Sequence, residues 1–401
     1  EQQAHALRAA LENKFSIITG GPGTGKTTIL RALVAILQAK KVKVTLAAPT
    51  GRAAQRLSES AHSFASTIHR LLAFDPERGS FVHNADRPLP AEFLVVDEAS
   101  MLDTKLAAAL LRAVHPRAHV LLVGDVFQLP SVGAGNVLGD LIEAAGVPVT
   151  RLEKIFRQGK RSGIVTTAHE ILAGNAQAPF CTDSVENIDP KHDMHFIRVN
   201  NAEDCLDTVR ALVKTHIPRW YKLDPIDDVQ VLAPMHRGSA GISALNADLQ
   251  RALNPRGLPF SFGGQPLREG DKVIQTRNNY DLGLFNGDLG RIEKVDTENT
   301  LVRATFDGRD AVLERAELSD VQPAYALTIH KSQGSEFPVV VIALLKQHFV
   351  MLMRNLVYTA ITRGRKKVFI VGEPSAYSMA IRNAKATERS TALKEKLSNN
   401  I

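Results

Sequence analysis

The sequence predicts an α/β protein: parallel-sheet domains organised around a phosphate-binding loop, with small antiparallel pieces inserted. Three observations carry this. Short apolar runs alternate with helical patterns through about residue 146, the β-α-β rhythm of a parallel sheet with helices on both faces. The run Phe15 to Ile18 feeds straight into Gly20-Gly21-Pro22-Gly23-Thr24-Gly25-Lys26-Thr27-Thr28, and a helical pattern follows with Ile29, Leu30, Leu33, Val34 and Leu37 on one face. After an interval of hairpin signals between Asn254 and Pro323, the sheet pattern resumes.

Strand, glycine-rich loop and helix are the context a phosphate cradle needs. The glycines let backbone N–H groups curl inward, and with the helix N-terminus they form a nest for anionic oxygens. Lys26 supplies a point charge for β- and γ-phosphates, and Thr27 a hydroxyl for Mg²⁺. An ordinary Gly-rich turn is the alternative that this context disfavours.

The 401 residues suit about two to four domains. Hydrophobic content of 44% and charged content of 23% are ordinary globular values, enough to fill several cores. The net charge of +7 fits either a polyanion partner or a solvated basic surface. Cys181 and Cys205 are the only cysteines and lack metal-ligand spacing, which disfavours a zinc site or disulfide framework and fits a cytoplasmic setting. The aliphatic run Val339 to Leu345 is far shorter than the ~20 residues that span a bilayer, so no membrane partner is expected. The first residue is not Met, and the chain is expected to be a fragment of a longer one.

Strands are expected at Phe15–Thr19, Val42–Ala48, Phe93–Asp97 and Val120–Gly124. In such sheets ligands sit at the carboxyl ends of strands. The second strand ends in Pro49-Thr50-Gly51-Arg52, where Thr50 and Arg52 suit either phosphates or a capped helix with a surface Arg. His69, in Thr67-Ile68-His69-Arg70, suits nucleic acid or simple packing. The third strand ends Val95-Val96-Asp97-Glu98 and is expected on the strand beside the phosphate loop. There Asp97 can hold hydrated Mg²⁺, and Glu98 can polarise an attacking water. The fourth leads to Gln128, placed to sense a γ-phosphate. Residues 75–92 are polar and turn-rich, either a projecting hairpin or a loop.

Gly146 to Val149 reads as the end of the first domain, followed by Arg151 to Gln158. Val229–Ala233 reads as a strand and Ile242–Leu253 as a helix. The turn pairs Asn286-Gly287 and Asp307-Gly308, with the alternation Val302/Ala304/Phe306, predict a small antiparallel β-barrel inserted at 254–320. The strands Val339–Leu344 and Val368–Val371 then flank basic and hydroxyl residues, a recipe for a phosphate-tracking groove. Aromatics are only 5% of the chain, so electrostatic tracking is favoured over base stacking.

The ordered set "GGPGTGKTT", "APTGRAA", "STIHRLL", "VVDEASM", "GDVFQLPSVGAG", "FRQ", "GDKVIQTRN", "NGDLGRI", "LTIHKSQGSEF" and "VYTAITRGR" resembles the superfamily 1 DNA helicases. It resembles the RecD-like branch in particular, of the type acting without RecB and RecC. The resemblance runs from Gln3 to Arg363. It implies two RecA-like P-loop domains, 1–150 (with a pin at 75–92) and 151–253 plus 321–401, and the inserted barrel at 254–320. It implies ATP and Mg²⁺ as ligands. Gln3 (or Gln2) would read adenine. Gly21, Gly23, Thr24, Gly25, Lys26, Thr27 and Thr28 would hold phosphates, with Gly334 and Glu336 near the γ-phosphate and ribose. Thr27 and Asp97 would hold the metal, and Lys26, Glu98, Gln128, Arg157 and Arg363 would act in hydrolysis. Thr50, Arg52, His69, Thr328, His330 and Lys331 would line single-stranded DNA.

The implied activity is ATP-driven 5′-to-3′ movement on single-stranded DNA with unwinding at ss/ds junctions. A monomer is expected, with repair or replication partners reached through a missing N-terminal region. The rival readings are a Pif1-like or relaxase-associated conjugative helicase, and an ATP-switched DNA-binding module that does not unwind.

Overall fold

The computed structural model describes residues 2–75, 79–144, 146–154, 162–260, 266–384, 389 and 391–398. The chain forms two compact units, Glu1–Arg161 with Lys385–Ile401, and Ser162–Ala384.

The first unit is a six-stranded parallel sheet of β1 (Phe15–Gly20), β2 (Val44–Ala48), β3 (Ala65–Thr67), β4 (Phe93–Val96), β5 (His119–Gly124) and β6 (Val149–Leu152). The strand order is β3-β2-β4-β5-β1-β6. Strands this apolar are buried on both faces. Alternate residues serve opposite cores: Ile17, Leu94, Val96, Val120 and Leu122 face one cluster, and Ile18, Phe93, Val95, Leu121 and Val123 the other. Helices α1 (Gln2–Glu12), α2 (Lys26–Ala39) and α3 (Gly51–Ala61) cover the second face, while α4 (Thr104–Ala113) and α5 (Val137–Glu143) cover the first. α2 buries the apolar stripe expected of it, Ile29, Leu30, Leu33, Val34 and Leu37. Each such side chain contributes about 1.5–3 kcal/mol on burial.

Three sequence expectations are corrected. β5 lies between β4 and β1, so the strand carrying Asp97 is one removed from the phosphate-loop strand. The first unit does not end near Gly146, because Val149–Leu152 pairs parallel with β1. The pattern there is short, with Thr150 and Leu152 buried around an exposed Arg151, the mark of an edge strand rather than a boundary. The C-terminal residues do not stay with the second unit, since Leu393 and Leu397 pack on the core of the first. The expected hairpin over 75–92 reduces to Phe74–Asp75 paired with Ser80–Phe81. Leu89 and Ala91 are already back in the core.

The second unit has its own six-stranded parallel sheet: β7 (Cys181–Thr182), β8 (Met194–Arg198), β9 (Val229–Ala233), β10 (Ala326–Thr328), β11 (Phe337–Leu344) and β12 (Gly364–Gly372). Its order is β10-β9-β11-β12-β8-β7. Between β9 and β10 in the chain sits a five-stranded antiparallel sheet formed by Lys272–Gln275, Leu289–Asp296, Leu301–Phe306, Arg309–Leu313 and Val321–Pro323. Asp307 and Gly308, both with positive φ, close one of its hairpins as the Asp-Gly pair requires. Where a barrel is expected, the described residues form this antiparallel sheet over one apolar core. Closure is not among its strand pairings in the described residues.

A buried carboxylate fastens this insertion. Asp271 is fully buried and accepts hydrogen bonds from Gln250 Nε2 (2.6 Å), Asn254 Nδ2 (2.8 Å), Arg268 N (2.7 Å) and Tyr325 Oη (2.8 Å). Burial and the Asp271 charge push the Tyr325 hydroxyl up, so it remains a donor. Lys272, also buried, donates to Val229 O at 3.0 Å. Removing a buried partner strands the groups that faced it. Asp271→Ala should cost about 2–5 kcal/mol and Tyr325→Phe about 1–2 kcal/mol, read as shifts of the second-unit transition in chemical denaturation. Equal, small shifts for both would show that Asp271 is not the anchor.

Candidate functional site

The phosphate loop leaves β1 at Gly20 and enters α2 at Lys26. Gly23 (φ 73°) and Gly25 (φ 86°) adopt left-handed backbone, which side-chain-bearing residues avoid. Gly20 is required by space instead: a Cβ there would lie 2.8 Å from Thr24 Oγ1 and 2.9 Å from Leu152 O. Thr24 is buried, its hydroxyl donating to Gly21 O at 2.8 Å. Lys26 Nζ donates to Gly20 O and, at 2.9 Å, to Gly21 O, which holds the ammonium at the loop. Thr27 and Thr28 are exposed on the first turn of α2.

β4 ends in the carboxylate pair. Asp97 accepts the Glu98 N–H at 2.9 Å, and Glu98 turns the chain with φ 52°, a conformation that costs energy in a non-glycine residue. Arg56, one turn beyond Arg52 on α3, lies 3.9 Å from Glu98 Oε1. Burial and the Glu98 charge push the Asp97 carboxyl up to about 6, against the opposing pull of the Glu98 N–H, Arg56 and Lys26. A carboxylate pair so poorly compensated, at the same sheet edge as the Thr27 hydroxyl, is a donor set that suits Mg²⁺.

After β5, Gln128 is buried, with Nε2 3.4 Å from Asp125 Oδ2. Asp125 is itself buried and accepts Phe127 N at 3.1 Å. Lys26, Thr27, Asp97, Glu98 and Gln128 thus gather along the carboxyl edge of one sheet. Arg56 and Asp125 were not singled out in the sequence. Arg56 stands at helical spacing from Arg52, and Asp125 directly follows the β5 glycine, which are the signals that point to them. At the N-terminus, Gln2 Oε1 accepts the Lys154 N–H at 3.1 Å.

The expected nucleic-acid residues divide. Thr50 caps α3, accepting Ala53 N at 3.3 Å, and Arg52 sits on that helix's first turn. His69 packs against Phe74 and Phe81, with centroids 6.2 and 5.7 Å away, and burial lowers its pKa. It props the small hairpin. In the second unit, Thr328 ends β10 and accepts Lys331 N at 3.2 Å. Thr328 and Lys331 line a cavity of about 290 Å³ with His236, Asn246, Gln250 and Gln322. Burial lowers the pKa values of Lys331 and His330.

Also in the second unit, Arg363 is buried and donates through Nε to Thr359 O (3.2 Å) and through Nη1 to Ser335 O (3.1 Å). Its guanidinium is therefore bonded to the segment that holds Gly334 and Glu336. Arg157 lies outside the described residues.

A P-loop with a following carboxylate pair and a polar residue after the next strand defines a nucleoside-triphosphate-handling α/β domain. The comparisons narrow the class. Residues 1–201 match the AAA domain family model, residues 245–306 the SH3 domain of ATP-dependent RecD-like DNA helicases, and residues 323–371 the UvrD-like helicase C-terminal domain. The chain is 39% identical over 397 residues to the ATP-dependent RecD2 DNA helicase of Deinococcus radiodurans, covering 99% of this chain and 52% of that protein. It is 34% identical over 444 residues to the RecBCD enzyme subunit RecD of Mycolicibacterium smegmatis, covering 99% and 75%. The chain therefore spans about half the length of the first relative and three quarters of the second. Among solved structures, a Bacteroides Pif1 helicase in complex with ADP-AlF3 and ssDNA superposes with a TM-score of 0.55 at 19% identity, over 98% of this chain and 93% of that one. Candida albicans Pif1 gives 0.54 at 18%, over 100% and 99%. These establish a shared fold. The chain belongs to the RecD-like DNA helicase family.

The raised Asp97 pKa has a sign. A carboxyl that titrates higher folded than unfolded stabilises the fold below its unfolded value, and that stability is lost as pH rises through about 6. At pH 7.5 and without nucleotide or metal, Asp97→Asn should therefore unfold at higher denaturant, by about 1–3 kcal/mol. The gap to wild type should close as pH falls through about 6 towards 3.8. A variant less stable than wild type at pH 7.5 would contradict this electrostatic picture.

Proposed function

We propose that this chain is the motor portion of an ATP-dependent DNA helicase that moves 5′-to-3′ along single-stranded DNA and opens the duplex ahead of it. The observation that carries the reading is the assembly of Lys26, Thr27, Asp97, Glu98 and Gln128 along one carboxyl sheet edge, in a chain of the RecD-like family. In this reading the backbone N–H groups of Gly21–Thr28 and the start of α2 hold the phosphates. Lys26 exchanges its loop carbonyls for the β- and γ-phosphates. Glu98 orients the attacking water and takes its proton, and Gln128 registers the γ-phosphate. Thr27 and Asp97 would hold Mg²⁺, whose chemistry when bound is to neutralise phosphate charge. Arg157 and Arg363 are the arginines assigned to the γ-phosphate in this reading, with Gly334 and Glu336, near Arg363, assigned to the nucleotide. The carbonyls of Thr359 and Ser335 hold Arg363 oriented, which limits the entropy lost on engagement.

Thr328, His330 and Lys331 on the second unit, with Thr50 and Arg52 on the first, suit contacts to a single strand. Burial lowers the pKa of Lys331 but leaves a donor for phosphate, and the low pKa values of His330 and His236 keep neutral imidazoles near it. Phosphate contacts make binding sequence-tolerant and salt-sensitive. His69 serves by packing, so in this reading it positions the small hairpin rather than touching DNA.

The test is ATP hydrolysis with and without single-stranded DNA, paired with strand displacement from 5′-tailed and 3′-tailed duplexes. Wild type should show DNA-stimulated hydrolysis and displace the strand only from the 5′-tailed duplex. Lys26→Ala should lose both by roughly a hundredfold or more, the scale expected for removal of a phosphate-stabilising charge. ATP-dependent DNA binding without displacement would replace the helicase reading with a nucleotide-switched binder, and preference for the 3′ tail would reverse the polarity.

A further inference from the structure

The C-terminal segment returns to the first unit a few residues after Ala384, the last residue of the second. There the Arg389 guanidinium donates to a run of backbone carbonyls: Ser131 O (2.6 Å), Gly133 O (2.6 Å) and Gly135 O (2.8 Å), with Ser131 Oγ at 3.4 Å. These acceptors form the loop that begins immediately after Gln128. The opposite side of the loop rests on the start of α4. Thr104 N donates to Ala134 O at 2.9 Å, and a Cβ on Gly133 or Gly135 would strike Asp103 or Thr104. The loop is thus clasped between the α4 N-terminus and one arginine. The rest of the segment is attached elsewhere. Thr391 Oγ1 donates to Asp140 Oδ2, Lys394 pairs with Glu143 at 2.7 Å, and Leu393 and Leu397 pack on the core.

We infer that Arg389 is a positioning residue for nucleotide hydrolysis: it clamps the Ser131–Gly135 loop and so fixes where Gln128 stands. The physical basis is the guanidinium fork, whose several N–H groups reach carbonyls that diverge around a turn. A lysine ammonium is a point donor that matches such a set poorly. The Gln128 N–H donates to Asp125 O at 3.2 Å and its Nε2 lies 3.4 Å from Asp125 Oδ2, and only Leu129 and Pro130 separate it from Ser131, so the register of the clamped loop bears on its position. Val132 at the loop tip is 84% exposed, and the loop gains little burial there to hold itself. The inference rests on the ATPase reading for its kinetic consequence. The clamp itself is a statement about the free protein.

The experiment uses the whole chain and two readouts, steady-state ATP hydrolysis with saturating single-stranded DNA and amide hydrogen exchange over residues 129–136. Arg389→Ala should lower kcat about tenfold or more with KM for ATP within about twofold, the signature of lost positioning rather than lost binding. Arg389→Lys should recover only part of the rate. Exchange over 129–136 should rise in Arg389→Ala. Lys394→Ala and Leu397→Ala loosen the same segment without touching the loop, and should keep kcat within about twofold. The proposal is overturned if Arg389→Ala leaves either kcat or exchange unchanged, or if Leu397→Ala reproduces both effects, which would make Arg389 a mere anchor of the tail. A wild-type chain without ATPase would sink the functional reading instead. Exchange alone would then decide the clamp.

Discussion

The structure depends on β1 being hydrogen-bonded along both edges, by β5 on one side and β6 on the other. A strand held on both sides cannot shift register without breaking two ladders and moving Ile17 and Ile18 to the wrong cores. That fixes where Gly20 leaves the sheet. β6 adds a steric limit, since Leu152 occupies the space a Cβ on Gly20 would need. The phosphate loop is thus positioned from below by a sheet. The αL glycines within it shape the loop and have little part in placing it.

Electrostatics at the sheet edge follow from that placement. Two carboxylates end β4 where burial is high and Lys26 and Arg56 are the cations that offset them. A neutral or well-paired edge would be more stable and chemically idle. The raised Asp97 pKa marks a stability cost at this edge, of the kind that functional sites carry. Gln128 adds a second sensitivity. It sits on a loop whose backbone acceptors are satisfied from α4 and from the far C-terminus, so distant parts of the sequence bear on one side chain.

In the second unit the controlling interactions are buried and polar. Asp271 collects donors from the helix Ile242–Leu253, from Asn254 just beyond it, from the approach to the inserted sheet and from Tyr325 ahead of β10. Gln230 bonds Ala324 O and Tyr325 O, and Asn246 bonds both the N–H and C=O of Ala326. A buried polar network of this kind favours one arrangement where apolar packing alone would tolerate several. It holds the insertion's exit against the strand that leads to Thr328 and Lys331.

The sequence by itself determined the local elements and the chemistry they carry. The phosphate loop, α2, the ends of β4 and β5, β9, the helix Ile242–Leu253 and the Asp-Gly hairpin are all written in short-range pattern: apolar runs, 3.6-residue stripes and glycines where φ is positive. The family was legible because its motifs come in order. Only the tertiary structure decided what depends on long-range pairing. It placed β5 between the two halves of the nucleotide edge, recruited the four-residue β6 to the first sheet, and returned the tail to the first unit. It gave His69 to an aromatic cluster and Thr50 to a helix cap, where a linear reading left each open. Asp271 and Arg389 carry little local signal, because all of their partners but Arg268 N lie far away in the chain. A carboxylate or guanidinium shows its role only when folding brings those donors or acceptors to it and removes the water that would otherwise serve.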